Sequence, residues 1–227
     1  MDWILLQHSP IGFDDLLRLQ DELVDEVRAH PQRGFILASQ PTPTFTAGIS
    51  AKPEDLLWSK EMCERAGIQI RPVHRGGKWT YHGPGQIVLF PIFQMNQVFP
   101  RTRVRGYLET FQTSLRSALE KTASLSIDTA DDTSPVGLYH DGNKLTSFGV
   151  GIRRGIATYG AAVYLEGFQP IDGIVPCGHS SRRYATLQSL NWPHDWQTTA
   201  RLLSENLAQS FESARAKEFS SRESLIG

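Results

Sequence analysis

The sequence predicts an α+β fold built on a mixed, mostly antiparallel sheet with flanking helices, and three observations carry that prediction. Strand-like and helix-like segments follow one another without the regular strand–helix–strand rhythm of a parallel sheet. An Asp141-Gly142 pair lies between two apolar segments, Val136 to His140 and Lys144 to Ile152, where its tolerance of positive φ suits a tight hairpin. A glycine-rich run containing Gly76, Gly77, Gly83 and Gly85 leads into the strand-like segment Ile87-Val88-Leu89-Phe90.

The other elements follow in chain order. Trp3 to Leu6 reads as a short strand, and Phe13, Leu16, Leu17, Leu19, Leu23, Val24 and Val27 recur at helical spacing as far as about His30. Gly34 to Ala38 reads as a second strand, after which Pro41 and Pro43 break regular structure. Short helices are expected over Pro53 to Trp58 and Lys60 to Ala66, and a strand over Ile68 to His74. Leu108, Phe111, Leu115 and Leu119 space a helix from Tyr107 to Lys121; a strand follows at Ile156 to Leu165 and a last helix from about Trp196 to Ala214. The 227 residues fit one domain, 1–227, with no internal repeat or linker.

Composition excludes several classes of function. A formal net charge of −1 lacks the basic surplus that phosphate neutralisation requires, so no nucleic-acid partner is expected. No apolar run approaches the roughly 18 to 20 residues of a membrane span, and Met1-Asp2-Trp3 lacks the basic start of a signal peptide; a cytoplasmic protein without a membrane partner is expected. Two cysteines, Cys63 and Cys177, are too few for a disulfide framework. Charge is unevenly distributed: no Asp or Glu occurs from Arg71 to Leu108, from Gly142 to Leu165, or from Gly173 to His194. If these windows meet in space, they make one electropositive face suited to an acidic partner.

Three segments can carry chemistry. Arg75-Gly-Gly-Lys-Trp-Thr-Tyr-His-Gly-Pro-Gly-Gln86 can bring backbone N–H groups close to a ligand, although it is neither a phosphate loop nor a dinucleotide fingerprint. Cys177, between Pro176 and Gly178, lies on a turn where its sulfur can be exposed; His179 is two residues away, a spacing that guarantees no contact. Cys63, beside Met62 and Ala66 in a helix, reads as a packed hydrophobe. Strict alternation along Lys144 to Ile152 puts Lys144 on the side of Phe148, Val150 and Ile152, opposite Ser147, Gly149 and Gly151. Two readings of this lysine stand: a desolvated amine that activates a thiol, or an edge lysine reaching to water. No Cys/His cluster has metal-ligand spacing, and no cofactor is expected.

Together these segments resemble the lipoate-biosynthesis octanoyltransferases, which share the fold of biotin and lipoate protein ligases. The resemblance runs through Thr44 to Gly48, Ala51 to Leu57, Arg75 to Gln86 with Pro91-Ile92, Gly137 to Lys144, Ser147 to Gly149, Ile152 to Gly155, and Pro176-Cys177-Gly178. It implies that Cys177 attacks an octanoyl thioester on acyl carrier protein, with Lys144 as its activating partner. The acceptor it implies is the target lysine of lipoyl domains, such as the glycine cleavage H protein or the E2 subunit of 2-oxoacid dehydrogenases. It further implies an acyl site lined by Arg75, Gly76, Gly77, Lys78, Trp79, Thr80, Tyr81 and His82, by Ser147, Phe148 and Gly149, and by Gly160, Ala161 and Ala162, with backbone N–H groups there as oxyanion donors. The acidic carrier protein would meet the basic windows. Where the family usually carries His and Asn, this chain has Tyr159 and Tyr164, and the Arg common after Gly48 is absent. An ATP-dependent ligase, an amidotransferase between proteins, and a silent relative that only binds carrier or lipoyl domains are the alternatives.

Overall fold

Strands Asp2–Ile11 (β1), Arg33–Pro41 (β2), Gln86–Phe93 (β6) and Ile156–Tyr164 (β10) make one half of a seven-stranded sheet. Asn143–Arg153 (β9), Gly137–His140 (β8) and Asp128–Thr129 (β7) complete it, in the order β1-β2-β6-β10-β9-β8-β7. Among the described residues of this sheet, β1 and β2 pair in parallel and the other strand pairs are antiparallel, as the sequence predicts. A second sheet, β4-β3-β5, joins Gln69–Pro72 (β4), Thr44–Ala47 (β3) and Trp79–His82 (β5). The structure is a computed structural model and describes residues 1–123, 125–130, 136–167, 171–175 and 184–223.

Helices cover both faces of the larger sheet, which explains the uninterrupted apolar run of β6: a strand buried on two sides has no polar face to alternate with. Phe13–Ala29 (α1) lays Phe13, Leu16, Val24 and Val27 against Phe35, Leu37, Val88, Phe90 and Ile92. On the opposite face Ile36, Ala38, Ile87, Leu89 and Phe93 meet the helices Met95–Val98 (α3), Arg103–Ala123 (α4) and Trp196–Glu223 (α5), where Tyr107, Phe111, Leu207 and Phe211 are fully buried. Cys63, in the helix Lys60–Arg65 (α2), packs with Phe45, Trp79 and Tyr81 under the small sheet, and burial pushes its thiol pKa up.

Strands Thr44–Ala47 and Asp128–Thr129 and the helix Met95–Val98 are not among the expected elements, and three other elements depart from their expected form. The segment 53–58 makes only a 3-10 turn, Pro53–Asp55, because Leu56 leaves the helical path to bridge Ile174. Trp79–His82 is a strand inside the run that reads as a glycine loop; its partner β3 supplies the pairing that glycine frequency concealed. Helix α5 continues to Glu223 rather than stopping near Ala214, beyond the end of its apolar spacing. Polar contacts hold the extension: the buried Glu218 carboxylate accepts from the Arg101 N–H (2.9 Å), the Thr102 N–H (3.3 Å) and the Thr102 hydroxyl.

Candidate active site

The two sheets close over a narrow cavity with an interior volume of about 20 Å³, little more than the roughly 10–15 Å³ that one water needs. The larger sheet contributes Phe90 from β6, Ser147, Phe148 and Gly149 from β9, and Gly160, Ala161 and Ala162 from β10. The smaller sheet and the turn before it contribute Thr80, His82 and Arg75. Gly160 is required by close approach, since a Cβ there would fall 2.0 Å from the Leu89 carbonyl oxygen.

Most of the residues that the resemblance assigns to the acyl site thus come together, and Phe90 joins them. Its place in an apolar strand gave no signal of a site. Trp79 and Tyr81 do not reach this wall. Alternation along β5 turns them into the small core with Phe45, where the Trp79 indole donates to the Lys52 carbonyl (2.7 Å). Gly76, Gly77 and Lys78 do not line the cavity either. Their backbone holds the 48–50 loop, with the Ser50 N–H on the Gly77 carbonyl (3.1 Å) and the Gly48 N–H on the Lys78 carbonyl (3.2 Å). The Gly76 N–H is committed to the Val150 carbonyl (2.8 Å), which removes it from the candidate oxyanion donors.

Arg75 is a buried cation whose guanidinium donates to the Thr46 carbonyl (3.1 Å), the Thr46 hydroxyl (2.6 Å) and the Gly76 carbonyl (2.9 Å). It ties β3 to the turn that opens the cavity. His82 stacks on Phe13 with ring centroids 5.6 Å apart, and its Nδ1 has no hydrogen-bond partner. Burial, reinforced by the nearby Arg75 charge, lowers its pKa to about 3, so it is a neutral imidazole at physiological pH.

Lys144 departs most clearly from the expectation set by strict alternation. Tyr139 pairs with Lys144 but Leu138 pairs with Thr146, which leaves Leu145 as the extra residue of a β-bulge. The bulge reverses the faces: Leu145 joins Leu138, Phe148 and Val150 in the α4/α5 core, and Lys144 turns the other way. Its ammonium lies 5.7 Å from the centre of the Tyr139 ring, and its Cε lies 2.7 Å from where a Cβ would stand on Gly137. Because Gly137 is the partner of Ser147, the lysine side chain runs along β8 toward the cavity wall. At 1% exposure it does not snorkel to water.

Cys177 and His179, with Arg182 and Arg183, lie outside the described residues. The chain on either side of that segment is anchored: Ile174 bridges Leu56, and Tyr184 bridges Lys144, whose carbonyl accepts the Ala185 N–H (3.1 Å). Tyr164, in the family's Asn position, shares a 2.7 Å hydrogen bond with Ser147 and meets Tyr184 edge-on at 5.1 Å. Tyr159, in the His position, has φ +54°, and its ring leaves the side of Ala157 and Ala161 to pack with Phe90 beneath α1. There its hydroxyl accepts the His74 N–H (3.3 Å) and its own N–H donates to Gln20 (2.8 Å). It braces α1 against the glycine run and lines no part of the cavity.

Among the described residues, two charges of the basic windows are paired with acids of α1. Arg71 forms a two-pronged pair with Asp14 (both 2.7 Å), which pulls the Asp14 carboxyl below its ordinary range, and Arg153 meets Asp21 at 2.8 Å. Acids of α1 therefore offset two of these charges. Among the described residues no cluster of His, Cys, Asp or Glu could hold a metal, and no helix is long and apolar enough to cross a membrane.

This two-sheet architecture is the fold of solved lipoate and biotin protein ligases. A solved lipoate-protein ligase A bound with ATP superimposes with a TM-score of 0.70 at 16% identity, over 97% of this chain and 95% of that one. A biotin protein ligase from Aquifex aeolicus superimposes with a TM-score of 0.57 at 11% identity, over 96% of this chain and 73% of that one. The family model of the lipoyl protein ligase A/B catalytic domain matches residues 14–208, and the chain belongs to that family. Relatives include an octanoyltransferase of Acidobacterium capsulatum, 31% identical over 81% of this chain and 78% of the relative. Another is the octanoyltransferase of Bdellovibrio bacteriovorus, 28% identical over 83% and 89%. The chain is an enzyme of the acyltransferase type.

Proposed function

We propose that this enzyme transfers an octanoyl group from a carrier-protein thioester to the target lysine of a lipoyl domain, through an acyl-thioester on Cys177. The observation that carries the reading is the buried amine of Lys144, directed along β8 toward Ser147 and bridged by the backbone of Tyr184. A lysine withdrawn from water is stabilised as an ammonium only by a nearby anion or acceptor, and a thiolate is such a partner. The apolar cavity wall of Phe90 and Ala162 suits an alkyl chain.

In this mechanism the Cys177 thiolate attacks the thioester carbonyl, forming one C–S bond as the bond to the phosphopantetheine sulfur breaks. The departing thiolate takes a proton from the Lys144 ammonium. The acceptor lysine, arriving as a neutral amine, then attacks the acyl-cysteine; an amide forms, its surplus proton passes to the Lys144 amine, and the thiolate–ammonium pair is restored.

Intact mass after mixing with octanoyl-carrier protein tests this. The enzyme is expected to gain one octanoyl group, removable by hydroxylamine, and to pass it to a lipoyl domain without ATP. Unchanged transfer by Cys177→Ala would eliminate the covalent route.

A further inference from the structure

We infer that Gly137 is a positioning residue for Lys144, holding open the groove in which the lysine side chain runs toward the cavity. This rests on the reading of Lys144 as the partner of the reactive thiol.

Lys144 leaves the backbone opposite Tyr139, two residues along β8 from the Gly137–Ser147 pair. Its Cε nevertheless lies where a Gly137 side chain would begin: a Cβ would meet it at 2.7 Å, the Thr146 carbonyl at 2.7 Å and the Tyr139 ring edge at 3.2 Å. Heavy-atom pairs pack at about 3.5 to 4.0 Å, so no side chain fits beside the lysine in this conformation. The φ of Gly137 is not positive, so backbone conformation does not demand glycine here. What demands it is occupied space. The bulge at Leu145 chooses the face that Lys144 takes, Tyr139 provides the floor, and the missing side chain at 137 leaves the lane.

With a methyl at 137 the lysine must swing off the strand, and its amine withdraws from the Ser147 end. Chemistry would then fail before binding does, because the cavity wall is untouched. Gly137→Ala is expected to move the midpoint of Cys177 alkylation upward toward the roughly 8.5 of an ordinary thiol. It should also lower kcat by at least about tenfold with little change in KM, part of the 10²- to 10⁴-fold typical of a proton-transfer group.

The added methyl also faces the Thr146 carbonyl, so the decisive experiment is a cycle with Lys144→Ala, read by urea denaturation and by alkylation pH profile. If the lysine is what Gly137 accommodates, Gly137→Ala costs less stability in the Lys144→Ala background and shifts no midpoint there. Should the single variant fail to fold, the double variant is expected to fold. Equal penalties in both backgrounds, or failure of both variants to fold, would overturn the assignment. An alkylation profile unaltered by Lys144→Ala alone would refute the role of the lysine rather than its placement, and the stability cycle would still decide the role of Gly137.

Discussion

Replacing Arg75 by Met separates two functions that the sequence assigns to the same segment, ligand contact and structural tie. The guanidinium donates to the carbonyl and hydroxyl of Thr46, which is fully buried, and to the Gly76 carbonyl at a half-buried position. Without it the Gly76 carbonyl can turn to water, and the Thr46 hydroxyl retains the Thr80 carbonyl at 3.3 Å. The Thr46 carbonyl loses a charge-assisted bond in a dry setting, a cost of about 1–3 kcal/mol, and the remaining bonds add about 0.5–1.5 kcal/mol. Relief from desolvating the cation offsets part of this, leaving a loss of about 1–3 kcal/mol. For a chain of this size that corresponds to a fall of about 2–12 °C in Tm. Urea denaturation measures it, and Arg75→Lys should recover only part, because an ammonium cannot match the planar fork. A loss under about 0.5 kcal/mol with a raised KM would refute the structural assignment and make Arg75 a ligand-binding cation.

His82 is neutral in the fold with a pKa of about 3, against about 6.5 when unfolded. Between these values the unfolded chain binds the extra proton, so stability falls as pH falls, by up to about 1.4 kcal/mol per unit. Lowering pH from 6.5 to 5 should cost about 1.6 kcal/mol through this group, and a His82→Gln chain with the same pH slope would remove the assignment. Tyr159→Phe, which strips the acceptor from the His74 N–H, is expected to cost about 0.5–1.5 kcal/mol with kcat preserved; a collapse of kcat would show that the hydroxyl does chemistry. Ala162→Leu fills the cavity wall from a position almost without exposure, so shorter acyl donors should be favoured over octanoyl, at a packing cost of about 1–3 kcal/mol. Equal loss for all chain lengths would place the alkyl chain elsewhere.

Local chemistry alone determined much of this protein. The spacing of Phe13, Leu16, Val24 and Val27 specified α1, and Asp141-Gly142 specified a turn whose two residues have φ +47° and +74°. Short-range patterns of this kind survive folding because the periods of helix and strand are backbone properties. The ordered motifs likewise named the cavity residues that β9 and β10 supply.

Tertiary structure decided the rest. Strand β5 was hidden in a glycine run because its pairing energy comes from β3, more than thirty residues earlier. Tyr159 was legible as a departure from the family, but its turn away from the cavity depends on a positive φ supported by Gln20 and His74. Lys144 shows the division most directly. Its residue type and hairpin were readable, yet the face it occupies is set by one extra residue, Leu145, in the pairing with β8. Register is a property of two strands together, so a single-strand pattern cannot contain it.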